Sequence, residues 1–172
     1  QTPKLAFLLP ENKEYINTWE IIDIGLDENY IESLQSKTHY ITKNDILPIY
    51  QSRNKWSHKG TFGHSLIIGG SFGKIGAVTL ATKAAIKIGS GLVSAYLPKC
   101  GYNILQISVP EAMVEVDDEQ ILMYYNFKTN PTVIGIGPGM GISEKTAIGF
   151  DKFIKENKLP LVIDADAINL LS

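Results

Sequence analysis

From His64 onward, short apolar runs alternate with stretches of helical periodicity. Ser65-Leu66-Ile67-Ile68 is the first run, and Gly69-Gly70 closes it. A run this short and this apolar predicts a strand buried in a parallel sheet. A helix follows over about Ala77 to Ile88. There Ala77, Leu80, Ala81, Ala84, Ala85 and Ile88 recur at three and four and predict its apolar face. Gly89 stands where a C-terminal cap is expected. Leu92 to Leu97 predicts the next strand, stopped by Pro98, and a helix is expected over about Lys99 to Gln106. Ala112 to Val116 and Thr132 to Ile136 read as strands, the second running into Gly137-Pro138-Gly139-Met140-Gly141. Ser143 is placed to cap a helix through about Asn157. Pro160 ends that connection, and Leu161-Val162-Ile163-Asp164 is a further buried strand.

The first third is patterned differently. Leu5 to Leu9 and Trp19 to Ile24 predict short strands rich in β-branched and aromatic residues, with Gly25 closing the second. Asp27 to Leu34 is a candidate helix, and Thr42-Lys43-Asn44-Asp45 resembles a capping box with Asp in the Glu position. Gln51 to Gly60 is a polar connection. A domain boundary is expected near residue 40, dividing 1–40 from 41–172. No internal repeat or low-complexity tract interrupts either part. The chain opens at Gln1 and closes at Ser172 in what reads as the first turn of a helix, so a fragment or a processed chain is expected.

Strands alternating with helices predict an α/β fold: a largely parallel sheet with helices on both faces. In such sheets ligands bind at the edge formed by the strands' C-terminal ends. The segments 69–77, 137–141 and 164–166 all fall there, and this convergence is the main pointer to function.

Composition narrows the partners. At 172 residues, with 44% hydrophobic and 20% charged residues, the chain is long and apolar enough for a packed domain. A formal net charge of -2 without a basic block argues against nucleic acid. No apolar run suits a bilayer and no signal peptide is visible, so no membrane is expected. One cysteine, Cys100, and three scattered histidines make neither an internal disulfide nor a familiar zinc set, and the cytoplasm is the expected compartment.

In the first loop, Gly70, Gly73 and Gly76 recur every third residue ahead of a helix, with Lys74 as a mobile cation. Glycines that let a ligand approach backbone amides, together with a helix N-terminus, suit phosphate or pyrophosphate. Ile75 and the glycine spacing exclude a Walker A motif. A tight βα turn with no ligand is the alternative. In the second loop, Ile142 stands where the third glycine of the G-x-G-x-x-G dinucleotide fingerprint belongs, which disfavours hydride transfer in a Rossmann site. Asp164 and Asp166 follow a buried strand and suit magnesium or a substrate hydroxyl, whereas Asp166 also suits a helix N-cap. Asn169 faces either the same crevice or solvent. His58 and His64 are expected to be structural or at the surface, Trp19 and Trp56 to cover the core or an interface, and 117–119 to be a solvated acidic turn.

Taken together, these residues resemble a known family. Ser57-His58-Lys59-Gly60-Thr61-Phe62-Gly63-His64, then Leu66 to Ser71, resembles the opening of the NAD(P)H-hydrate dehydratase domain. Lys74 to Ala77, Gly89 to Val93, Val109 to Met113, Ile136 to Gly141 and Val162 to Asn169 continue the likeness in order. Phe7 to Pro10 and Trp19 to Leu26 resemble, over a shorter stretch, the tail of the companion NAD(P)H-hydrate epimerase domain, with which the dehydratase is fused in some members.

The resemblance implies a ribokinase-like fold, incomplete here, in a multifunctional lyase and isomerase that repairs hydrated NADH and NADPH. In that chemistry ADP, or less often ATP, with Mg2+, phosphorylates the ring hydroxyl, and loss of phosphate restores the double bond. It implies substrate contacts at Gly76, Ala77, Gly139 and Gly141. Gly73, Lys74, Asp164, Asp166 and Asn169 would lie near phosphate or nucleotide. It also implies a homo-oligomer. The family's His-Pro-Gly and Gly-Thr-Gly-Asp segments, the latter carrying the general base, do not occur in these residues. The base is therefore expected beyond Ser172, and these residues alone are expected to be inactive. A non-catalytic nucleotide-binding remnant and a ribokinase-like sugar or vitamin kinase are the alternatives.

Overall fold

The structure is a computed structural model and describes residues 3–50, 52–118 and 120–172. Gln51, at the head of the expected connection, and Glu119, in the expected acidic turn, lie outside the described residues. The chain divides into two compact units, Gln1–Ser52 and Arg53–Ser172. The sequence places its boundary near residue 40, whereas the units meet between Ser52 and Arg53.

In the first unit the expected strands do not form. Leu5–Phe7 and Pro10–Asn12 are 3-10 turns, and 19–24 has no regular structure. A strand needs a neighbour to take up its backbone groups. Here the amide of Phe7 bonds locally instead, to Lys4 O at 2.9 Å. Both helices follow their caps. The Asp27 carboxylate accepts from the Tyr30 amide at the start of α1, Glu28–Ser33. Thr42 and Asp45 make the reciprocal bonds of a capping box around α2, Lys43–Ile46.

The second unit is built on five strands: β1 His64–Ile68, β2 Leu92–Leu97, β3 Met113–Val116, β4 Val133–Ile136 and β5 Leu161–Ile163. All neighbouring pairs are parallel, in the order β3-β2-β1-β4-β5. The helices are α3 Ile75–Ile88, α4 Tyr102–Ser108 after a 3-10 turn at Lys99–Gly101, α5 Glu144–Glu156 and α6 Asp166–Leu171. Alternate residues of the strands supply two cores. Leu66, Ile68, Ile134 and Ile136 pack with Phe150, Phe153 and Met140 beneath α5. Ala95 and Leu97 pack with Ile75, Val78, Leu105 and Val109 beneath α3 and α4. This is the expected α/β sheet with helices on both faces.

The core-facing side of α3 differs from expectation. Ile75, Val78, Thr79 and Thr82 are buried, while Leu80 and Ile88 are 70% and 88% exposed. Thr79 and Thr82 are tolerated inside because their hydroxyls donate back to Ile75 O and Val78 O at 2.9 and 2.8 Å. Trp56 covers no core; it is 84% exposed, with Lys55 beside its ring. Cys100 packs half-buried against the α3–α4 core. Among the described residues no helix is long and apolar enough to cross a membrane.

The chain runs outward from β1 to β2 and β3, then returns to place β4 on the other side of β1. The strand order therefore reverses between β1 and β4. A crevice opens at such a switch point, outside the strands' C-terminal ends.

Candidate functional site

The two glycine loops leave β1 and β4, the strands that flank the switch point. Backbone ladders carry both past the sheet: the Gly69 amide donates to Tyr96 O, and the Gly137 amide to Ile68 O, each at 3.1 Å. The loops are then tied to each other. The Gly70 amide donates to Pro138 O at 2.9 Å, and the buried Ser71 hydroxyl donates to Gly139 O at 2.8 Å. The third segment joins from β5, where the Asp166 carboxylate accepts the Gly141 amide at 2.9 Å. The same oxygen lies 3.8 Å from Lys74 Nζ, so Asp166 links all three segments. The Lys74 side chain remains 58% exposed, which leaves its charge largely in water.

Asp166 is not the N-cap the sequence offers as its structural role. It is the first residue of α6, and the cap position belongs to Ala165 at φ 47°. A positive φ at a residue with a Cβ costs about 1–3 kcal/mol. That backbone turn is what separates the two carboxylates: Asp166 turns inward to the second loop, while Asp164 is exposed at the rim of a small hollow of about 270 Å³ lined by Pro138 and Val162.

The glycines divide by what surrounds them. Gly139 has φ 69°, and a Cβ there would stand 2.7 Å from Lys74 O and 3.0 Å from the Ala77 Cβ. A Cβ on Gly137 would collide with Asp164 O. These two are glycine because the three segments close on each other there. Gly76 is different. It lies in the first turn of α3, is exposed, and a Cβ on it would meet nothing within 4 Å. Ala77 beside it is half-buried. The surface over Gly76 is therefore open to a ligand, next to the amides that head a helix of 14 residues, while the Ala77 Cβ faces Gly139.

Of the residues singled out in the sequence, the structure brings together Gly73, Lys74, Gly76, Ala77, Gly139, Gly141 and Asp166. Asp164 sits at the rim. Asn169 is exposed on α6, its backbone bonded within its own turn. The histidines are structural: His58 Nδ1 accepts the Gly60 amide, and His64 Nε2 is bonded to the Ser94 hydroxyl at 2.8 Å. Burial holds the His64 imidazole below its usual range, with Glu115 opposing in part.

Two features escape the sequence pattern. Ser71 is one, and its only signal is a small polar residue inside a glycine loop. The other is Asp117, just past β3. Far from being solvated, its carboxylate accepts the amides of Asp118, Met123, Tyr124 and Tyr125. The segment it organises reaches the first loop through the Phe72 amide, which donates to Gln120 O at 2.9 Å.

Known proteins resemble this chain in sequence and fold. The family described as NAD(P)H-hydrate dehydratase matches residues 65–172. A bifunctional NAD(P)H-hydrate repair enzyme from Coxiella burnetii is 32% identical over 99% of this chain, which spans 34% of that protein. A ribokinase-like superfamily protein from Enterococcus faecalis superposes with a TM-score of 0.65 at 27% identity, over 79% of this chain and 50% of its own. An ADP/ATP-dependent NAD(P)H-hydrate dehydratase from Bacillus subtilis, crystallised with ATP and Mg2+, superposes with a TM-score of 0.62 at 26% identity, over 73% of this chain and 45% of its own. The chain thus spans between a third and a half of these relatives. The family match over residues 65–172, in a parallel sheet whose glycine loops meet at the switch point, places this chain in the NAD(P)H-hydrate dehydratase family.

Proposed function

We propose that the second unit supplies the substrate-binding wall of a dehydratase that returns hydrated NADH and NADPH to the intact dinucleotides, with ADP or ATP as co-substrate. The observation that carries this is the open surface over Gly76, beside the place where Ala77 packs against Gly139 at the switch point. Small residues there leave room for a flat ring and a pyrophosphate beside helix amides that favour anions. Gly73, Lys74 and Gly141 lie beside that surface and are read as its phosphate side. Asp166 acts through Lys74 and the Gly141 amide as a positioning residue.

In the reaction, the nucleotide's terminal phosphoryl group passes to the ring hydroxyl. The ring C–O bond then breaks, with its electron pair leaving on phosphate. A proton is lost from the neighbouring carbon, and the double bond returns. These residues bind and orient, and no described side chain is assigned as the base. The magnesium that the resemblance implies finds no cage here. Among the described residues no three acidic, histidine or cysteine side chains converge, and Asp166 is already engaged. Such an ion would arrive on the nucleotide's phosphates. We read residues 1–40 as the tail of an epimerase domain and 41–172 as the start of the dehydratase domain. A relative matched over 99% of this chain is bifunctional, which supports this reading. The likeness to dehydratases favours dehydration over a sugar or vitamin kinase.

The test is to incubate the full-length protein with hydrated NADH and ADP, or ATP, and follow the absorbance of NADH as it returns. Recovery with either nucleotide supports the proposal. No recovery under conditions in which an established dehydratase works overturns it. The 172-residue chain alone should show no turnover.

A further inference from the structure

The segment between β3 and β4 takes no part in the proposed reaction, yet side chains of the sheet hold it in place along much of its length. Asp117 takes the amides of residues 123–125. Tyr96 Oη accepts the Asn126 amide at 2.9 Å, and Glu115 accepts those of Lys128 and Thr129 at 2.6 and 2.8 Å. The segment is thus fixed beside α5 without joining the sheet, and a groove of about 870 Å³ lies between them. Gly149 of α5 lets the two walls approach, since a Cβ there would collide with Met123 O and stand 3.0 Å from the Tyr125 ring.

Two costs and a local charge meet in this groove. Tyr125 has φ 53°, in the left-handed region that side chains disfavour. Its hydroxyl is buried and, among the described residues, has no hydrogen-bond partner. Burial pushes that hydroxyl's pKa far up, so it stays protonated and able to donate. The third feature is charge. Lys145, Lys152 and Lys158 border the groove against a single acid, Glu156. None of the three lysines is ion-paired among the described residues, whereas Lys155, elsewhere on α5, meets Asp151 at 2.7 Å. The chain as a whole carries -2, so this local excess of positive charge runs against the average. Strained backbone and an orphaned buried hydroxyl raise the free energy of the folded chain, and such costs gather where a ligand offsets them; the exposed lysines add a local positive charge for an anion to meet.

We propose that the groove binds a planar organic anion, an aromatic ring carrying a phosphate or a carboxylate. The ring lies in the apolar trough floored by Phe127, Ile148 and Phe153, and the anion faces Lys145 and Lys152. Tyr125 stacks on Phe153, with centroids 5.3 Å apart, and gives the trough a flat aromatic wall. A ring matches that wall better than an alkyl chain does. The groove's volume is within the usual range for small-ligand sites, about 300–1,000 Å³. None of its residues belongs to the glycine loops or to 164–169.

The experiment titrates the 172-residue chain with AMP and, separately, with 2-naphthoate, following backbone amide resonances. Saturable shifts at 123–127 and 145–158 are expected with at least one probe. AMP alone points to a nucleotide source, 2-naphthoate alone to an aromatic acid. The double variant Lys145→Gln, Lys152→Gln changes exposed residues and should weaken binding by about tenfold while the rest of the spectrum stays in place. Tyr125→Phe should weaken binding without lowering the melting temperature, a split that a purely structural hydroxyl would not give. The proposal is overturned by shifts confined to 69–77 and 137–141, by no saturable shift up to about 10 mM probe, or by an unchanged Kd in the double lysine variant.

Discussion

Gly76 and Gly139 look alike in the sequence, each a glycine in a loop at a strand's end, but the structure gives them opposite reasons. Gly139 is held by its neighbours and by φ 69°, so Gly139→Ala should cost about 1–3 kcal/mol of stability. Gly76 is helical and open, so Gly76→Ala should leave stability unchanged or raise it by up to about 1 kcal/mol. On the proposed function the same methyl group intrudes on the substrate's surface and slows dehydration. Melting curves read beside NADH recovery in the full-length protein separate the two. A Gly76→Ala enzyme as fast as wild type would remove the start of α3 from the site. The sequence shows both glycines but not this difference, because the difference depends on which segment packs against which. Asp117 was illegible for a related reason. Most of the amides it accepts lie six to eight residues onward, past an irregular stretch with no period to mark it.

At the scale of elements, the order, type and approximate bounds of every strand and helix from β1 onward were legible, because short apolar runs and cap residues report local physics. The facing of α3 was not. Counting alanines as core residues selects a stripe one step around from the buried one, because two threonines can enter the core by bonding backward along their own helix. Val78→Ala should therefore cost about 2 kcal/mol, while Leu80→Lys should stay within about 0.5 kcal/mol, as at other exposed positions. Chemical denaturation of the two variants checks the facing, and equal losses would refute it. The link from β1 to β2 adds a pH dependence. Folding depresses the His64 pKa below its ordinary 6.5, so the unfolded chain binds the proton more readily. The stability contributed by neutral His64 is full above that value and is lost as pH falls toward the depressed one. His64→Gln should melt at a temperature less sensitive to pH between about 7.5 and 5.5 than wild type. Parallel slopes would mean that another group carries the effect.

For the whole molecule, the alternation of strands and helices announces a doubly covered parallel sheet. The position of β4 beside β1 is a matter of topology and shows only in the structure. That placement brings two unremarkable glycine loops together, where the Gly70–Pro138 and Ser71–Gly139 hydrogen bonds join them. The first unit went the other way. Its apolar residues suggested strands, but strands exist only with partners. Among described residues 3–50 none is buried, and Ile22 and Ile24 stand 75% and 73% exposed. Both hydrophobic cores lie within 53–172. So does the contact at the head of the second unit, where Arg53 donates to Gly89 O at 2.8 Å and lies over the Phe62 ring. A chain of residues 53–172 should therefore melt cooperatively, within a few degrees of the 172-residue chain, and keep its amide spectrum. A chain of residues 1–52 should show no cooperative transition, since fifty residues without a core cannot offset their conformational entropy. If 53–172 instead lost its transition, residues before Arg53 would be needed for the stability of the sheet.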